Sequence, residues 1–213
     1  MQYWLACKHL LRYLKGTVGL GLVFSPSRDD LSLQVYTDAD HAGCKVTRRS
    51  TSGFCVYFGK NLIIWGSKKQ TVVARFVGEA KYRVIALGVT ELMWLKTLFQ
   101  ELGYPCTVVP IVWSDNLAAK SMFENPVFHS RTKHIEVDVH FVREKVENSE
   151  VEVRYVPTAN QVADVLTKVL PRDRFKFLGA RLGLTLSPVH AGSTVAENST
   201  SMESNLRGSV GVV

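Results

Sequence analysis

The sequence predicts an α/β protein with a mixed five-stranded sheet, the element order β-β-β-α-β-α-α-β-α, and helices on both faces of the sheet. The first observation behind this prediction is that the early chain reads as a strand followed by a hairpin, at residues 31–36 and 52–68. The second is a long helical pattern at residues 79–102, after which strand-like and helix-like segments alternate. A hairpin is antiparallel, whereas strands joined through helices run parallel, so the sheet should be mixed.

The first predicted elements follow from the spacing of apolar residues. Residues 3–15 have apolar side chains at helical spacing and end at Gly16, which predicts an amphipathic helix. Leu33 and Val35 alternate with polar residues, as in a strand with one apolar face. The segment SGFCVYFGKNLIIWGSK contains two apolar runs around a Gly59-Lys60-Asn61 turn, which is typical of a hairpin.

The rest of the chain alternates between the two kinds of pattern. The helix of residues 79–102 carries an apolar stripe and ends at GYP, with glycine at its end and proline just beyond. The later predicted elements are strands at 108–115 and 150–157 and helices at 116–125, 133–148 and 160–183. We divide the chain into residues 1–30, a helix and linker; residues 31–184, one domain; and residues 185–213, a Ser/Thr/Gly-rich tail predicted to be disordered.

The balance of charged residues indicates which class of molecule the protein binds. The chain has 213 residues, with 26 Lys plus Arg against 19 Asp plus Glu, and a formal net charge of +7. This balance favours a polyanionic partner, most simply nucleic acid, although many soluble proteins are mildly basic. No apolar run reaches the roughly 18–20 residues that a membrane span needs, so no membrane partner is expected.

Four carboxylates stand at the ends of predicted elements. They are Asp38 after the first strand, Glu79 at the start of the long helix, Asp115 after the fourth strand and Asp164 in the first turns of the last helical segment. Each alone has a structural explanation as a turn former, an N-cap or a residue that favours the helix dipole. In YTDAD, Asp40 is an alternative to Asp38. Together the four could face one cleft and hold two Mg²⁺ ions, which prefer oxygen ligands.

Six blocks of sequence match a known domain in order. They are YTDADHAGCKVTRRSTSGFCVYFG, IIWGSKKQ, EAKYRVIAL, VWSDNLAA, NPVFHSRTKHIEVDVHFVREKV and VRYVPTANQVADVLTK. Over about residues 31–184, the chain resembles the ribonuclease H domain at the end of a copia-type retrotransposon Pol polyprotein. Residues 1–30 resemble the end of the reverse transcriptase connection region and a linker, so we expect a piece of a longer polyprotein.

The resemblance implies a ribonuclease H fold and Mg²⁺-dependent cleavage of RNA in RNA–DNA hybrids. The family's catalytic and metal-binding residues are Asp, Glu, Asp and Asp, and by motif these fall on Asp38, Glu79, Asp115 and Asp164. Two Mg²⁺ ions are implied as cofactors, with Mn²⁺ as a substitute. The implied partners are the hybrid and the reverse transcriptase portion of the parent polyprotein.

A basic stretch separates the first two carboxylates. Residues 41–78 contain no Asp or Glu. The side chains predicted to grip phosphates of the hybrid are Lys45, Arg48, Arg49, Lys68, Lys69 and Arg75, with Arg131 and Lys133 as a second grip. The alternative is that this stretch is simply the solvated face of a hairpin.

Three departures from the family pattern lie close to Glu79. Phe76 and Val77 replace small residues, and Lys81 replaces the second acid of the family's EAEY motif. Phe76 could shift the start of the helix, and Lys81 could pair with Glu79 or Asp38 and compete with metal. We therefore expect impaired activity, and the alternative function is a retroelement remnant that binds nucleic acid without cutting it.

The cellular location is predicted only from the resemblance to this family. Elements of this family copy their RNA in cytoplasmic particles, so we expect a cytoplasmic protein. A nuclear location is the alternative. The first 28 residues carry four basic residues and no acid, which loosely resembles a mitochondrial presequence. A piece of a larger protein is the preferred interpretation.

Overall fold

The computed structural model describes residues 2–26, 31–117 and 135–186. The described residues form two compact units: the smaller contains residues 2–23 and 183–186, and the larger contains the described residues between Phe24 and Leu182. The larger unit contains Asp38, Glu79, Asp115 and Asp164. Most of the helix predicted at 116–125, together with Arg131, Lys133 and the chain after residue 186, lies outside the described residues.

The smaller unit joins the two ends of the described chain. Helix α1 (Gln2–Thr17) is the predicted amphipathic helix and is followed by strand β1 (Leu20–Leu22). Strand β7 (Leu184–Leu186) pairs with β1 in antiparallel fashion, with Leu20 opposite Leu186. Residues 185 and 186, predicted to begin a disordered tail, are therefore strand. Their backbone groups are satisfied by a distant partner strand, which local composition cannot reveal.

The larger unit is built on the predicted mixed five-stranded sheet. Its strands are β2 (Leu33–Ala39), β3 (Thr51–Phe58), β4 (Asn61–Lys69), β5 (Ile111–Ser114) and β6 (Glu152–Tyr155). Their spatial order is β4-β3-β2-β5-β6. The first three strands pair antiparallel, and β2, β5 and β6 run parallel. Gly59, with φ of 58°, turns the hairpin between β3 and β4.

One face of the sheet is covered by the long helix α2 (Val77–Glu101). Gly88 permits close approach, since a Cβ there would lie 2.7 Å from Cγ2 of Thr37. The apolar faces of strand and helix form one buried core that includes Val35, Ile85 and Leu92. Helix α3 (Glu136–Glu147) packs against α2 and completes this layer. This packing fixes α2, and with it Glu79, relative to β2.

The other face of the sheet carries the end of the larger unit. After a 3₁₀ turn (Thr158–Asn160) come the short helix α4 (Asp164–Thr167) and helix α5 (Arg172–Arg181). A Cβ on Gly53 of β3 would lie 2.6 Å from Cγ2 of Thr167, so α4 rests directly on the strand. Helices on both faces of the sheet, as predicted, are confirmed.

Across the described residues, no helix has the length and apolar character needed to span a membrane.

Candidate active site

Two of the four carboxylates are placed by the parallel strands at the centre of the sheet. Asp38 lies near the end of β2, and Asp115 directly follows β5. Thr37 pairs with Ser114 in the parallel register. Asp38 and Asp115, the residues after this pair, therefore lie at the same end of the sheet, where the parallel strands bring the two carboxylates together. Asp38 was predicted to follow the first strand, but it lies within β2, which pairs with β3 as far as Ala39.

Asp38 is the most buried of these groups. Its side chain is 0% exposed, and its Oδ2 accepts a hydrogen bond from the Thr167 hydroxyl. Burial raises the pKa of the Asp38 carboxyl above its ordinary value, while the Thr167 hydrogen bond and the charges of Lys168 and Lys81 act in the opposite direction. Within the described part of the chain, Oδ1 accepts no hydrogen bond. Asp38 is thus a buried carboxylate of which one oxygen is held by a hydrogen bond and the other is not.

Two lysines link Asp38 to its neighbours. The Lys81 Nζ of α2 lies 2.5 Å from Asp115 Oδ1 and 3.7 Å from Asp38 Oδ1. The Lys168 Nζ lies 2.6 Å from Asp164 Oδ1 and 3.2 Å from Asp38 Oδ2. Each ammonium group therefore sits between Asp38 and one other carboxylate. The predicted pairing of Lys81 with Asp38 is observed, together with a closer partner, Asp115.

Asp164 is positioned by contacts on three sides. Besides Lys168, its Oδ2 accepts a hydrogen bond from Arg174 of α5 at 2.8 Å. The preceding loop is anchored to β2 by the fully buried Gln161, whose Nε2 donates to Thr37 O at 3.0 Å. Its Oε1 accepts from the backbone N–H of Ala163 at 3.2 Å. Gln161 thus holds the start of α4 beside the strand that carries Asp38.

Glu79 is held away from these contacts. Its Oε2 accepts a hydrogen bond from the backbone N–H of Arg75 at 2.7 Å, and its Oε1 lies 3.0 Å from Nη2 of Arg83. The expected pairing of Lys81 with Glu79 does not occur, because Arg83 lies one turn along the same helix face. Helix α2 starts at Val77, with Phe76 extended at its N-cap, so the helix begins two residues before the predicted position.

The carboxylates fit cations in pairs rather than as one cluster. Among residues 2–26, 31–117 and 135–186, no three His, Cys, Asp or Glu side chains form a group that could hold a metal ion. The pairs Asp38–Asp115 and Asp38–Asp164 nevertheless each close on a positive charge. Asp38 Oδ1, which accepts no hydrogen bond from the described residues, faces the Lys81 ammonium group 3.7 Å away. Carboxylate oxygens are the donors that Mg²⁺ prefers. The donor chemistry therefore suits divalent cations, at positions now taken by the chain's own ammonium groups.

Asp40, the alternative in YTDAD, has a structural role. Its Oδ1 accepts a hydrogen bond from the backbone N–H of Thr51 at 2.5 Å, and its own N–H donates to Thr51 O at 3.1 Å. These bonds close the loop between β2 and β3. Asp38 rather than Asp40 therefore joins the cluster of carboxylates.

The predicted basic grip lies on this loop, the hairpin and the segment before α2. The described members are Lys45, Arg48, Arg49, Lys68, Lys69 and Arg75. All are exposed except the half-buried Arg49, and none forms an ion pair with a described acidic side chain. Lys69 lies 3.2 Å from the Cys44 thiol, whose pKa is lowered to about 6, chiefly by hydrogen bonds to Thr47 and then to Lys69. Arg131 and Lys133 lie outside the described residues.

Four site residues were missed by sequence reasoning: Gln161, Thr167, Lys168 and Arg174. The spacing of Asp164 and Lys168, four residues apart in a helical segment, is a signal that could have found one of them. Gln161 and Thr167 reach β2 across 124 and 129 residues, and only the fold brings them there. Arg174 reaches Asp164 from the next helix, ten residues along the chain, at a spacing that is not a helical one.

Comparison with known proteins finds homologues of this chain. It is 44% identical over 183 residues, 86% of its length, to the retrovirus-related Pol polyprotein from transposon RE1 of Arabidopsis thaliana. It is 42% identical over 193 residues, 91% of its length, to the polyprotein from transposon RE2 of the same plant. The chain is homologous to transposon Pol polyproteins. It spans only 12% and 13% of these two relatives, and no family model matches it.

The fold comparison agrees with the resemblance predicted from the motifs. The solved structure of LC11-RNase H1, isolated from compost by a metagenomic approach, matches with a TM-score of 0.50. The match covers 64% of this chain and 93% of that one, at 13% sequence identity. Such a distant likeness shows the fold alone. The polyprotein segment therefore has a ribonuclease H fold, and both the predicted family and the predicted fold are confirmed.

Proposed function

We propose that the larger unit is a ribonuclease H that hydrolyses the RNA strand of RNA–DNA hybrids. The observation that carries the proposal is the gathering of Asp38, Asp115 and Asp164 around two cationic side chains at one edge of the sheet. Homology to transposon Pol polyproteins supports it, since 44% identity extends along most of the chain.

Asp38 and Asp164 would hold a divalent cation. Asp115 and Glu79 would contribute to cation binding if their side chains leave Lys81 and Arg83. Bound Mg²⁺, or Mn²⁺ in its place, would supply an activated water and neutralise charge on the phosphodiester. Asp38 is kept in one orientation by β2 and by the Thr167 hydroxyl. A carboxylate fixed in this way needs little rearrangement when a ligand arrives.

The exposed basic side chains would bind the substrate backbone. Lys68 and Lys69 lie at the end of β4, and Lys45 and Arg48 lie in the loop between β2 and β3. All four present positive charge without acidic partners among the described residues. Such contacts position a strand but read no sequence. Recognition of the hybrid would then rest on groove shape and on 2′-hydroxyl groups.

Cleavage of a hybrid with an end-labelled RNA strand tests the proposal. The full chain is incubated with Mg²⁺, with Mn²⁺ or with EDTA, beside Asp164→Asn. Asp173→Asn is the matched control, since Asp173 is an exposed carboxylate on α5. We expect cuts in the RNA strand that need a divalent cation, vanish in Asp164→Asn and persist in the control. Cuts that survive Asp164→Asn would contradict the assignment.

A nucleic-acid-binding module is the second candidate. It is favoured by one observation: Lys81 and Lys168 already neutralise the carboxylates that a metal would use. Fluorescence anisotropy with the same hybrid, measured across salt concentrations, separates the candidates. Binding without cleavage by folded protein would favour the module. Replacing Lys68 and Lys69 with Gln should weaken binding and reduce the salt slope by about 1 for each lysine removed.

Context in a longer protein is also part of the proposal. The relatives are polyproteins of which this chain spans about an eighth. We propose that residues 1–30 derive from a reverse transcriptase connection region, that the reverse transcriptase portion is a partner, and that the protein acts in the cytoplasm. Co-purification with a separately expressed reverse transcriptase portion tests the partner, and imaging of a tagged chain tests the location.

A further inference from the structure

We propose that Lys81 is a built-in cation that occupies one of two cation positions, so that the chain binds a single divalent ion, between Asp38 and Asp164. The inference rests on the proposed function in supposing that the carboxylates bind metal at all. It goes further in assigning the number and place of the ions. It also assigns to Lys81 a role as a resident charge in place of the second ion.

The position between Asp38 and Asp115 is already filled. Lys81 Nζ lies 2.5 Å from Asp115 Oδ1 and 3.7 Å from Asp38 Oδ1. The Lys81 side chain is only 14% exposed, and those of Asp38 and Asp115 are 0% and 5% exposed. A divalent ion there would have to expel a charge that is shielded from water and tethered to the rigid helix α2. Retaining both would place like charges together in a poorly screened site.

The same position has also lost Glu79 as a ligand. Both carboxylate oxygens of Glu79 are engaged, one by the Arg75 backbone N–H and the other by Arg83. An ion beside Asp115 would therefore find fewer protein oxygens than the four motif carboxylates suggest. Each lost carboxylate removes charge and a ligand, and both lower affinity for Mg²⁺ or Mn²⁺.

The position between Asp38 and Asp164 is easier to open. Lys168 is 35% exposed, so its ammonium group can move into water without crossing the core. Asp164 would keep its hydrogen bond from Arg174, and Asp38 its bond from Thr167. Asp38 Oδ2, which already lies 3.2 Å from the Lys168 ammonium group, is the Asp38 oxygen that faces this position. Lys168 can thus move away from its carboxylates, whereas Lys81 is held in place.

Counting bound Mn²⁺ without nucleic acid tests the inference. Equilibrium dialysis and isothermal calorimetry on the full chain give the number of ions per chain. We expect one Mn²⁺ for the unmodified protein and two for Lys81→Gln. The matched variant Lys168→Gln removes the same charge from the other position, and we expect one ion, bound about tenfold more tightly because its competitor is gone.

A second pair of variants keeps the inference testable if Lys81→Gln does not fold. Asp164→Asn should abolish the single Mn²⁺, whereas Asp115→Asn should leave one Mn²⁺ bound, because Asp115 is not a ligand of this ion. Two ions, or none, in the unmodified chain would overturn the inference, as would equal losses in the two variants. The proposed function and this inference can fail separately. A chain that binds one ion but cuts no hybrid would refute the proposed nuclease activity and leave the ion-binding inference intact. A chain that cuts and binds two ions refutes only the role of Lys81.

Discussion

Replacement of Gln161 with Leu should weaken the attachment of the segment that carries Asp164 to strand β2. Gln161 is fully buried and makes two hydrogen bonds, one to Thr37 O at 3.0 Å and one from the Ala163 N–H at 3.2 Å. Leucine has similar bulk but can neither donate nor accept. The variant therefore leaves a buried N–H without its acceptor and removes one bond to a strand carbonyl.

The cost can be worked from these two bonds. A buried donor left without a partner costs about 1–3 kcal/mol, and loss of a satisfied hydrogen bond about 0.5–1.5 kcal/mol, so we expect about 2–4 kcal/mol in total. For a domain of this size that corresponds to a fall in Tm of about 5–15 °C. The free energy of unfolding from urea titration followed by circular dichroism measures the change.

Asn160→Ala is the matched control. Asn160 is the neighbouring side chain, and its Oδ1 accepts an exposed hydrogen bond from Arg181. Water can replace that partner, so the variant should cost less than about 1 kcal/mol. If Gln161→Leu costs no more than Asn160→Ala, the reasoning that Gln161 fastens α4 to β2 is wrong.

Two further predictions concern the hairpin and the basic loop. Gly53→Ala should destabilise the protein by about 1–3 kcal/mol and lower any hybrid cleavage, because the new Cβ would lie 2.6 Å from Thr167 Cγ2. Thermal unfolding measures the loss of stability, and the cleavage assay measures the loss of activity. Unchanged values in both would mean that α4 does not rest on β3. Cys44 should react with iodoacetamide with a midpoint near pH 6, whereas Cys55, whose pKa burial raises to about 12, should stay unmodified in folded protein. Peptide mass spectrometry across pH distinguishes the two thiols, and a Cys44 midpoint above pH 8 would contradict the lowered pKa.

The sheet and its long helix could be predicted because their signals are local. Leu33 and Val35 alternate with polar residues in β2, and the apolar stripe of α2 has helical spacing. The approximate positions of Asp38 and Asp115 follow from the same reasoning. Asp115 directly follows β5 as predicted, whereas Asp38 lies inside β2, one residue before its end. The catalytic roles of both stay predictions.

The network around the carboxylates could not be predicted in the same way. Arg83 and Lys81 lie on the same helix as Glu79, and only the geometry decides that Arg83 takes Glu79 while Lys81 reaches Asp38 and Asp115. The pairing of β7 with β1 likewise depends on the two ends of the chain meeting. Such choices are made by tertiary packing and leave no periodic trace in the sequence.

The bond between Gln161 and Thr37 has a consequence for the order of folding. The β3–β4 hairpin closes through a short turn, whereas Gln161 and Thr37 are 124 residues apart in the chain. Closing long loops costs more entropy and comes later than local pairing. We therefore expect the hairpin and α2 to form an early scaffold, with Asp164 docking beside Asp38 as a late, long-range step. A nascent chain still short of its last helices would carry most of the sheet but no complete cluster of carboxylates.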